Sequence, residues 1–104
     1  MIEVRFEDNR MTVNGHAGLD EYGKDILCAA ASILTYTLAT RLLEIEERVD
    51  DFETKIDMQC GYACLEWSKT TIELAFLLHT VKTGFYLLQQ QYPQNIGLEI
   101  VTAE

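Results

Sequence analysis

The sequence predicts an α+β fold in which two long helices pack on one mainly antiparallel or mixed sheet. Two segments repeat apolar residues every three or four positions, as amphipathic helices do, and five shorter segments have the pattern of half-buried strands. In chain order the elements read β-β-α-β-β-α-β, and strands that follow one another directly favour hairpin pairing. We expect residues 1–104 to form a single domain, because 104 residues suffice for one hydrophobic core.

The N-terminal segment is predicted to form a β-hairpin followed by a loop. Residues 1–7 alternate apolar and charged side chains, residues 8–10 are turn-like, and residues 11–15 can form the return strand. Residues 15–25 then contain three glycines and several polar residues without a periodic pattern. A loop of this length without structure of its own is often functional, and its central part covers residues 17–24.

The first long helix is predicted from Asp25, its N-cap, to about Glu46. No glycine or proline interrupts this segment, which is rich in Ala and Leu. Its core face is predicted from apolar residues at three- and four-residue spacing, namely Ile26, Ala30, Ile33, Leu34, Leu38, Leu42 and Ile45.

The second half of the chain repeats the order of two strands and a helix. Residues 49–58 alternate with a period of two, and residues 60–67 are predicted to form the partner strand. A Thr-Thr-Ile-Glu capping box opens a helix predicted over residues 71–91, which Pro93 stops. Residues 96–100 then predict a last strand. We expect His79 to lie at the edge of the core. Most of the aromatic residues are expected to be core residues or dimer contacts, namely Tyr62, Trp67, Phe76, Phe85 and Tyr86.

The net charge is −9 at pH 7, from 8 Lys plus Arg against 17 Asp plus Glu. Direct nucleic-acid binding is not expected, because binding the phosphate backbone requires a basic surface. One cluster of acidic residues is either a solvated surface or an attractive surface for a basic partner: Glu44, Glu46, Glu47, Asp50, Asp51, Glu53 and Asp57.

The sequence predicts a cytoplasmic location without a membrane partner. The N-terminal residues show no basic segment followed by an apolar stretch, and no run approaches the ~18 apolar residues of a membrane-spanning helix. The three cysteines form no disulfide framework, so reduced thiols are expected.

A metal site is not expected either. Cys60 and Cys64 could join His16 and Cys28 around zinc, but four residues along a strand separate two side chains by ~13 Å. That distance exceeds a shared coordination shell, and only a tight turn at Gly61 would bring the two thiols together.

His16 and Cys28 are the candidate catalytic residues. Cys28 lies in the first turn of the predicted helix, where free amides and the helix dipole favour an anion such as a thiolate. A thiolate with an imidazolium can attack a peptide carbonyl, and the same free amides could hold the oxyanion. Both residues also fit a structural interpretation, in which Cys28 is a small core residue and His16 a loop residue without a role.

The segments Gly-His-Ala-Gly at residues 15–18 and Asp-Ile-Leu-Cys-Ala-Ala-Ala-Ser at residues 25–32 resemble the signature of the ribosomal-processing cysteine protease family. That family has a Gly-His-Ala motif ahead of an Asp-Ile-Val-Cys-Ala-Ala-Val-Ser motif, at the same interval and in a chain of the same layout. Leu27 and Ala31 stand where valine is common, which we interpret as tolerated apolar exchanges.

The resemblance implies a catalytic dyad of Cys28 and His16, supported by Gly15, Asp25 and Ser32. Gly15 would give the backbone freedom beside the histidine. Ser32 lies one helical turn after Cys28. Asp25 caps the helix and, in a second interpretation, also orients His16.

The implied activity is removal of the N-terminal extension of a large-subunit ribosomal protein, number twenty-seven of the L series. The resemblance also implies a homodimer and no cofactor. The competing hypothesis is a non-enzymatic acidic dimer that binds a ribosomal protein or an assembly intermediate. In that hypothesis Cys28 is a structural residue packed in the core.

Overall fold

A computed structural model describes residues 1–18, 20 and 25–101 of the chain. The predicted loop over residues 17–24 therefore lies largely outside the described residues. The elements follow the predicted order: β1 (Ile2–Glu7), β2 (Arg10–Asn14), α1 (Ile26–Arg48), β3 (Thr54–Gln59), β4 (Tyr62–Trp67), α2 (Ile72–Gln91) and β5 (Ile96–Ile100).

The described strands form one five-stranded sheet in the order β3-β4-β2-β1-β5. The pairs β1–β2, β2–β4 and β3–β4 are antiparallel, whereas β1–β5 is parallel. The sheet is therefore mixed, because β5 follows α2 and returns beside β1 rather than folding back from its sequence neighbour. This topology places the end of β2 next to the start of β4.

Both helices belong to the layer that covers one face of the sheet. Ile2, Val4 and Phe6 of β1 point into this layer, each with 2% of its surface exposed. The ring of Phe85 on α2 packs edge-on against Phe6, with 6.2 Å between ring centroids. α1 contacts β3 and β4, α2 contacts β5, and the two helices contact each other. The core thus lies between the helices and the apolar face of the sheet.

The core face of α1 differs from the predicted one in its first half. The buried residues are Leu27, Ala31, Thr35, Leu38, Ala39, Leu42 and Ile45. Ile26 and Ile33, predicted to be core residues, are 67% and 62% exposed. The first half of α1 is apolar or small on nearly every side, so three- and four-residue spacing fits more than one face. The burial of Leu27 and Ala31 instead leaves Cys28 at the rim of the core.

Three predicted boundaries also change. α1 ends at Arg48, with Val49 as C-cap, and β3 begins at Thr54 rather than at residue 49. Asp51 adopts a left-handed backbone, φ +61°, which a continuous strand excludes. Gly61 adopts φ +75° in a tight turn, so β4 begins at Tyr62 and not at residue 60.

The aromatic residues and His79 divide between core and surface. Trp67 and Phe85 are core residues, with 5% and 0% exposed. His79, predicted at the edge of the core, is exposed on α2. Phe76 and Tyr86 of the same helix are also exposed, at 72% and 51%. The outer side of α2 therefore carries large apolar side chains that the fold of one chain does not cover.

α1 is long and apolar enough, by length and composition alone, to cross a membrane. The sequence prediction did not identify it, because serine and threonine interrupt its apolar runs. The core helix of a globular domain meets the same criteria, and seven residues of α1 are buried against the rest of the fold. We interpret α1 as such a core helix.

Candidate active site

The predicted site residues meet where β2 ends and β4 begins. Asn14 lies opposite Tyr62 in this strand pair, so the chain that leaves β2 passes the turn that enters β4. The start of α1 lies beside them, and a cavity of about 410 Å³ opens between these elements. Four of the five predicted site residues line this cavity: Gly15, His16, Cys28 and Ser32.

Cys28 lies in the first turn of α1, as predicted, with a partly buried side chain. Its sulfur faces the segment that carries His16, because the backbone N–H of Ala17 donates a hydrogen bond to Cys28 Sγ at 3.3 Å. Ala17 itself is buried, with 2% exposed. An amide donor beside a sulfur atom stabilises negative charge on it, so this contact suits a nucleophilic thiol.

Asp25 is the N-cap of α1 and is buried, with 7% of its surface exposed. Its Oδ1 accepts hydrogen bonds from the N–H groups of Leu27 and Cys28, both at 3.0 Å. Its Oδ2 accepts one from the N–H of Asp20 at 3.3 Å. The prediction that free amides of the helix start hold an oxyanion is therefore wrong for Leu27 and Cys28, because the Asp25 carboxylate occupies both.

His16 is exposed, and its ring packs against the backbone of Gly61. A Cβ atom at Gly61 would lie only 2.7 Å from His16 Nε2, so no larger residue fits there with the ring in place. The N–H of Gly15 donates to the Gly61 carbonyl at 2.8 Å. The β3–β4 turn thus holds the histidine from one side, a contact that the sequence did not predict.

Gly15 is required by its surroundings as well as by its backbone. It adopts φ +99°, and a Cβ atom there would overlap the Met1 carbonyl oxygen. The prediction that Gly15 gives the backbone freedom beside His16 agrees with this geometry.

Ser32 lies one turn after Cys28 on α1, is exposed and lines the cavity. Tyr36 follows one further turn along, lines the same cavity and is 55% exposed. The wall that α1 contributes therefore presents a thiol and two hydroxyl groups in a row.

The family model of cysteine protease Prp matches residues 1–97 of the chain. The chain belongs to this family. It is therefore a cysteine protease, which confirms the resemblance and decides against the non-enzymatic module.

Solved structures share the fold, and no curated protein sequence matches the chain. The ribosomal processing protease Prp from S. aureus, in complex with a covalently linked product peptide, has a TM-score of 0.78 at 20% identity. That match covers 96% of this chain and 97% of that chain. The same protease with a substrate peptide has a TM-score of 0.73 at the same identity and coverage. SMU.848 from Streptococcus mutans has a TM-score of 0.63 at 26% identity, covering 98% and 93%. The predicted α+β class is confirmed.

One further contact with residues 15–17 comes from the C-terminal part of the chain. The side-chain Nδ2 of Asn95, in the turn between α2 and β5, donates to the Ala17 carbonyl at 2.9 Å. Neither Asn95 nor Gly61 was predicted as a site residue. An asparagine or a glycine in a turn is ordinary in sequence, and no local pattern connects either residue with His16.

Cys60 and Cys64 are arranged differently from the prediction. Cys60 lies in the tight turn with Gly61 and lines the cavity, whereas Cys64 lies on β4 beside Tyr62 and Glu66. Burial raises the pKa of the Cys64 thiol, and the charge of Glu66 raises it further. Within residues 1–18, 20 and 25–101, no three His, Cys, Asp or Glu side chains form a group that could hold a metal ion.

Proposed function

We propose that this cysteine protease is an endopeptidase that removes the N-terminal extension of a large-subunit ribosomal protein, number twenty-seven of the L series. Cys28 is the nucleophile and His16 the general acid and base. The observation that supports this assignment is that both residues line one cavity, with the amide of Ala17 donating to Cys28 Sγ at 3.3 Å. No other described cysteine combines a helix N-terminal position with such a donor.

In the proposed mechanism, the Cys28 thiolate attacks the scissile carbonyl carbon, and the carbonyl π electrons move to oxygen. The tetrahedral intermediate collapses to a thioester as His16 gives a proton to the departing amine. His16 then takes a proton from water, which attacks the thioester and releases Cys28.

The oxyanion requires a donor other than the amides of Leu27 and Cys28, which bond to Asp25. We assign this role to the N–H of Ala17, because it already points at the attacking atom. Loss of one such donor typically costs about 2.7–4 kcal/mol in the transition state.

The substrate assignment is supported by the solved relatives and by charge. The S. aureus structures are of a ribosomal processing protease with a substrate peptide and a linked product peptide. The net charge of −9 suits a basic ribosomal protein. All seven residues of the acidic cluster are exposed, so their charge is available to steer such a partner.

We further propose a cytoplasmic homodimer. Cys28, Cys60 and Cys64 all lie within the described residues and form no disulfide, as expected in a reducing compartment. Large apolar side chains on the outer sides of both helices support a dimer: Ile33, Leu43, Ile72 and Phe76 are 62%, 51%, 79% and 72% exposed. Sedimentation equilibrium of the wild type and of Phe76→Ser measures this association, and a monomeric wild type contradicts it.

The test of the dyad uses a synthetic peptide that spans the extension and the first mature residues of the host's ribosomal protein. We expect cleavage by the wild type, and none by Cys28→Ala or His16→Ala. Cys64→Ala is the matched control that should retain cleavage, since it removes another thiol that does not line the cavity. Cleavage that persists in Cys28→Ala would overturn the assignment. Cleavage of the wild type at an unrelated bond would overturn the substrate alone.

A further inference from the structure

The residues on both sides of His16 are fixed by contacts from three separate parts of the chain. Before it, Gly15 N–H donates to the Gly61 carbonyl at 2.8 Å. After it, Ala17 N–H donates to Cys28 Sγ at 3.3 Å, and the Ala17 carbonyl accepts from Asn95 Nδ2 at 2.9 Å. The two peptide groups that flank Ala17 are therefore both oriented by side chains, one from α1 and one from the α2–β5 turn.

We propose that Asn95 is a positioning residue for the peptidase reaction, acting through the Ala17 carbonyl. By fixing the peptide group after Ala17, it fixes the direction of the Ala17 N–H that faces Cys28 Sγ. It also restricts the backbone from which the His16 ring extends. This inference rests on the proposed function, because it assumes that Cys28 and His16 carry the reaction.

The side chain of Asn95 is not required to build the turn in which it lies. The backbone of Asn95 already makes two hydrogen bonds there: its N–H donates to the Tyr92 carbonyl, and its carbonyl accepts from Ile2 N–H, both at 2.9 Å. These bonds close the turn and start the β1–β5 pair without the amide group. The side chain instead makes its contact with Ala17, 78 residues earlier in the sequence.

The contact requires a hydrogen-bond donor on the side chain of residue 95. The Ala17 carbonyl can only accept, so the group that faces it must carry an N–H or O–H. Ala17 is 2% exposed, and a carbonyl left unpaired in such a place would turn toward another donor or toward water. Either movement rotates Ala17 and misdirects its N–H, while leaving the elements of the fold in place.

The experiment measures kcat and KM for the ribosomal-protein peptide with Asn95→Asp and Asn95→Leu. Asp keeps the shape but replaces the donor by an acceptor, and Leu removes the donor without adding charge. We expect kcat to fall about 10- to 100-fold in both, with KM within about twofold of the wild type, because misplaced groups slow the chemical step. Gln94→Glu is the matched control, since it makes the same amide-to-carboxylate change at the adjacent exposed residue.

A second readout separates positioning from folding. The rate of alkylation of Cys28 by iodoacetamide at pH 7, followed by peptide mass spectrometry, should fall in both Asn95 variants and not in Gln94→Glu. Cys64 is the internal reference, and its alkylation should not change in any of them. The inference is overturned if both Asn95 variants keep the wild-type kcat and the wild-type rate of Cys28 alkylation. A loss of kcat that only follows the unfolded fraction overturns it as well.

The proposed function fails separately. If Cys28→Ala still cleaves the peptide, the dyad is wrong whatever the Asn95 variants do. If Cys28→Ala is inactive while both Asn95 variants keep the wild-type kcat, the dyad stands and the role of Asn95 is wrong.

Discussion

The N-termini of the two helices use the same capping device in different surroundings. Asp25 accepts from Leu27 and Cys28 N–H at the start of α1, and Thr71 Oγ1 accepts from Leu74 N–H at the start of α2. The α1 start lies against residues 15–17 and the cavity, whereas the first residue of α2, Ile72, is 79% exposed.

A capped helix start is therefore not by itself a site. The start of α1 is a candidate site because His16 and Ala17, which follow β2, lie beside its first turn and because the Gly61 turn supports the histidine ring. At α2, the corresponding turn carries Glu73, which pairs with Arg41 and Arg48 of α1 at 3.3 and 2.8 Å. In the proposed function the first helix start carries the nucleophile, whereas the second joins the two helices.

Removing each cap in turn tests this contrast and has the largest expected effect. Asp25→Ala should lower the free energy of unfolding by about 2–3 kcal/mol. The substitution removes a buried carboxylate, and three N–H groups lose their hydrogen-bond acceptor. It should also lower kcat about 100-fold, since the first turn of α1 carries Cys28. Thr71→Ala should cost about 1 kcal/mol and leave kcat unchanged.

Urea unfolding gives the stability of both cap variants, and peptide cleavage gives their kcat. Equal losses of kcat in Asp25→Ala and Thr71→Ala would contradict the contrast. They would mean that each cap acts only through global stability.

The order of the elements could be predicted because apolar residues recur every three or four positions in the helices and every second position in the strands. Cys28 could be placed in the first turn because Asp25 is a local signal for a helix start. The face of α1 could not be selected in its first half, where small and apolar residues surround the helix. Leu27 and Ala31 are buried only because the sheet meets that side.

The supports of the site could not be predicted because they depend on strand order. Gly61 reaches His16 through the antiparallel β2–β4 pair, whose strands are separated in sequence by α1 and β3. Asn95 reaches Ala17 because β5 pairs in parallel with β1 and brings the α2–β5 turn to the same end of the sheet. Neither pairing follows from the pattern of a single strand.

Gly61→Ala should separate the support of His16 from ordinary turn strain. A Cβ atom there meets His16 Nε2 at 2.7 Å, and the ring can swing away, so we expect kcat to fall about tenfold. The left-handed backbone, φ +75°, adds a stability cost of about 1 kcal/mol.

Gly18→Ala is the matched control for Gly61→Ala. Gly18 adopts almost the same φ, +74°, but a Cβ atom there has nothing within 4 Å. It should therefore lose similar stability and lose less kcat than Gly61→Ala, because no side chain lies in the way of its Cβ atom. A tenfold loss of kcat in both variants would show that backbone strain, and not contact with His16, explains the effect.

The smallest expected effect is at the start of α2, where Glu73→Gln weakens the ion pairs between the helices. A hydrogen bond from Arg48, with the charges of Arg48 and Arg41, holds the pKa of Glu73 below its usual range. The carboxylate therefore stabilises the fold at neutral pH, and this contribution is lost as pH falls from about 4.3 through the lowered pKa. Glu73→Gln should lower the thermal midpoint at pH 7 by less than Thr71→Ala does, because the pair is exposed. The difference from wild type should vanish in acid and shrink in 1 M salt, where such pairs are screened. The kcat of Glu73→Gln should stay at the wild-type value throughout. A difference in thermal midpoint that persists unchanged at low pH would mean that the Glu73 side chain acts by packing rather than by charge.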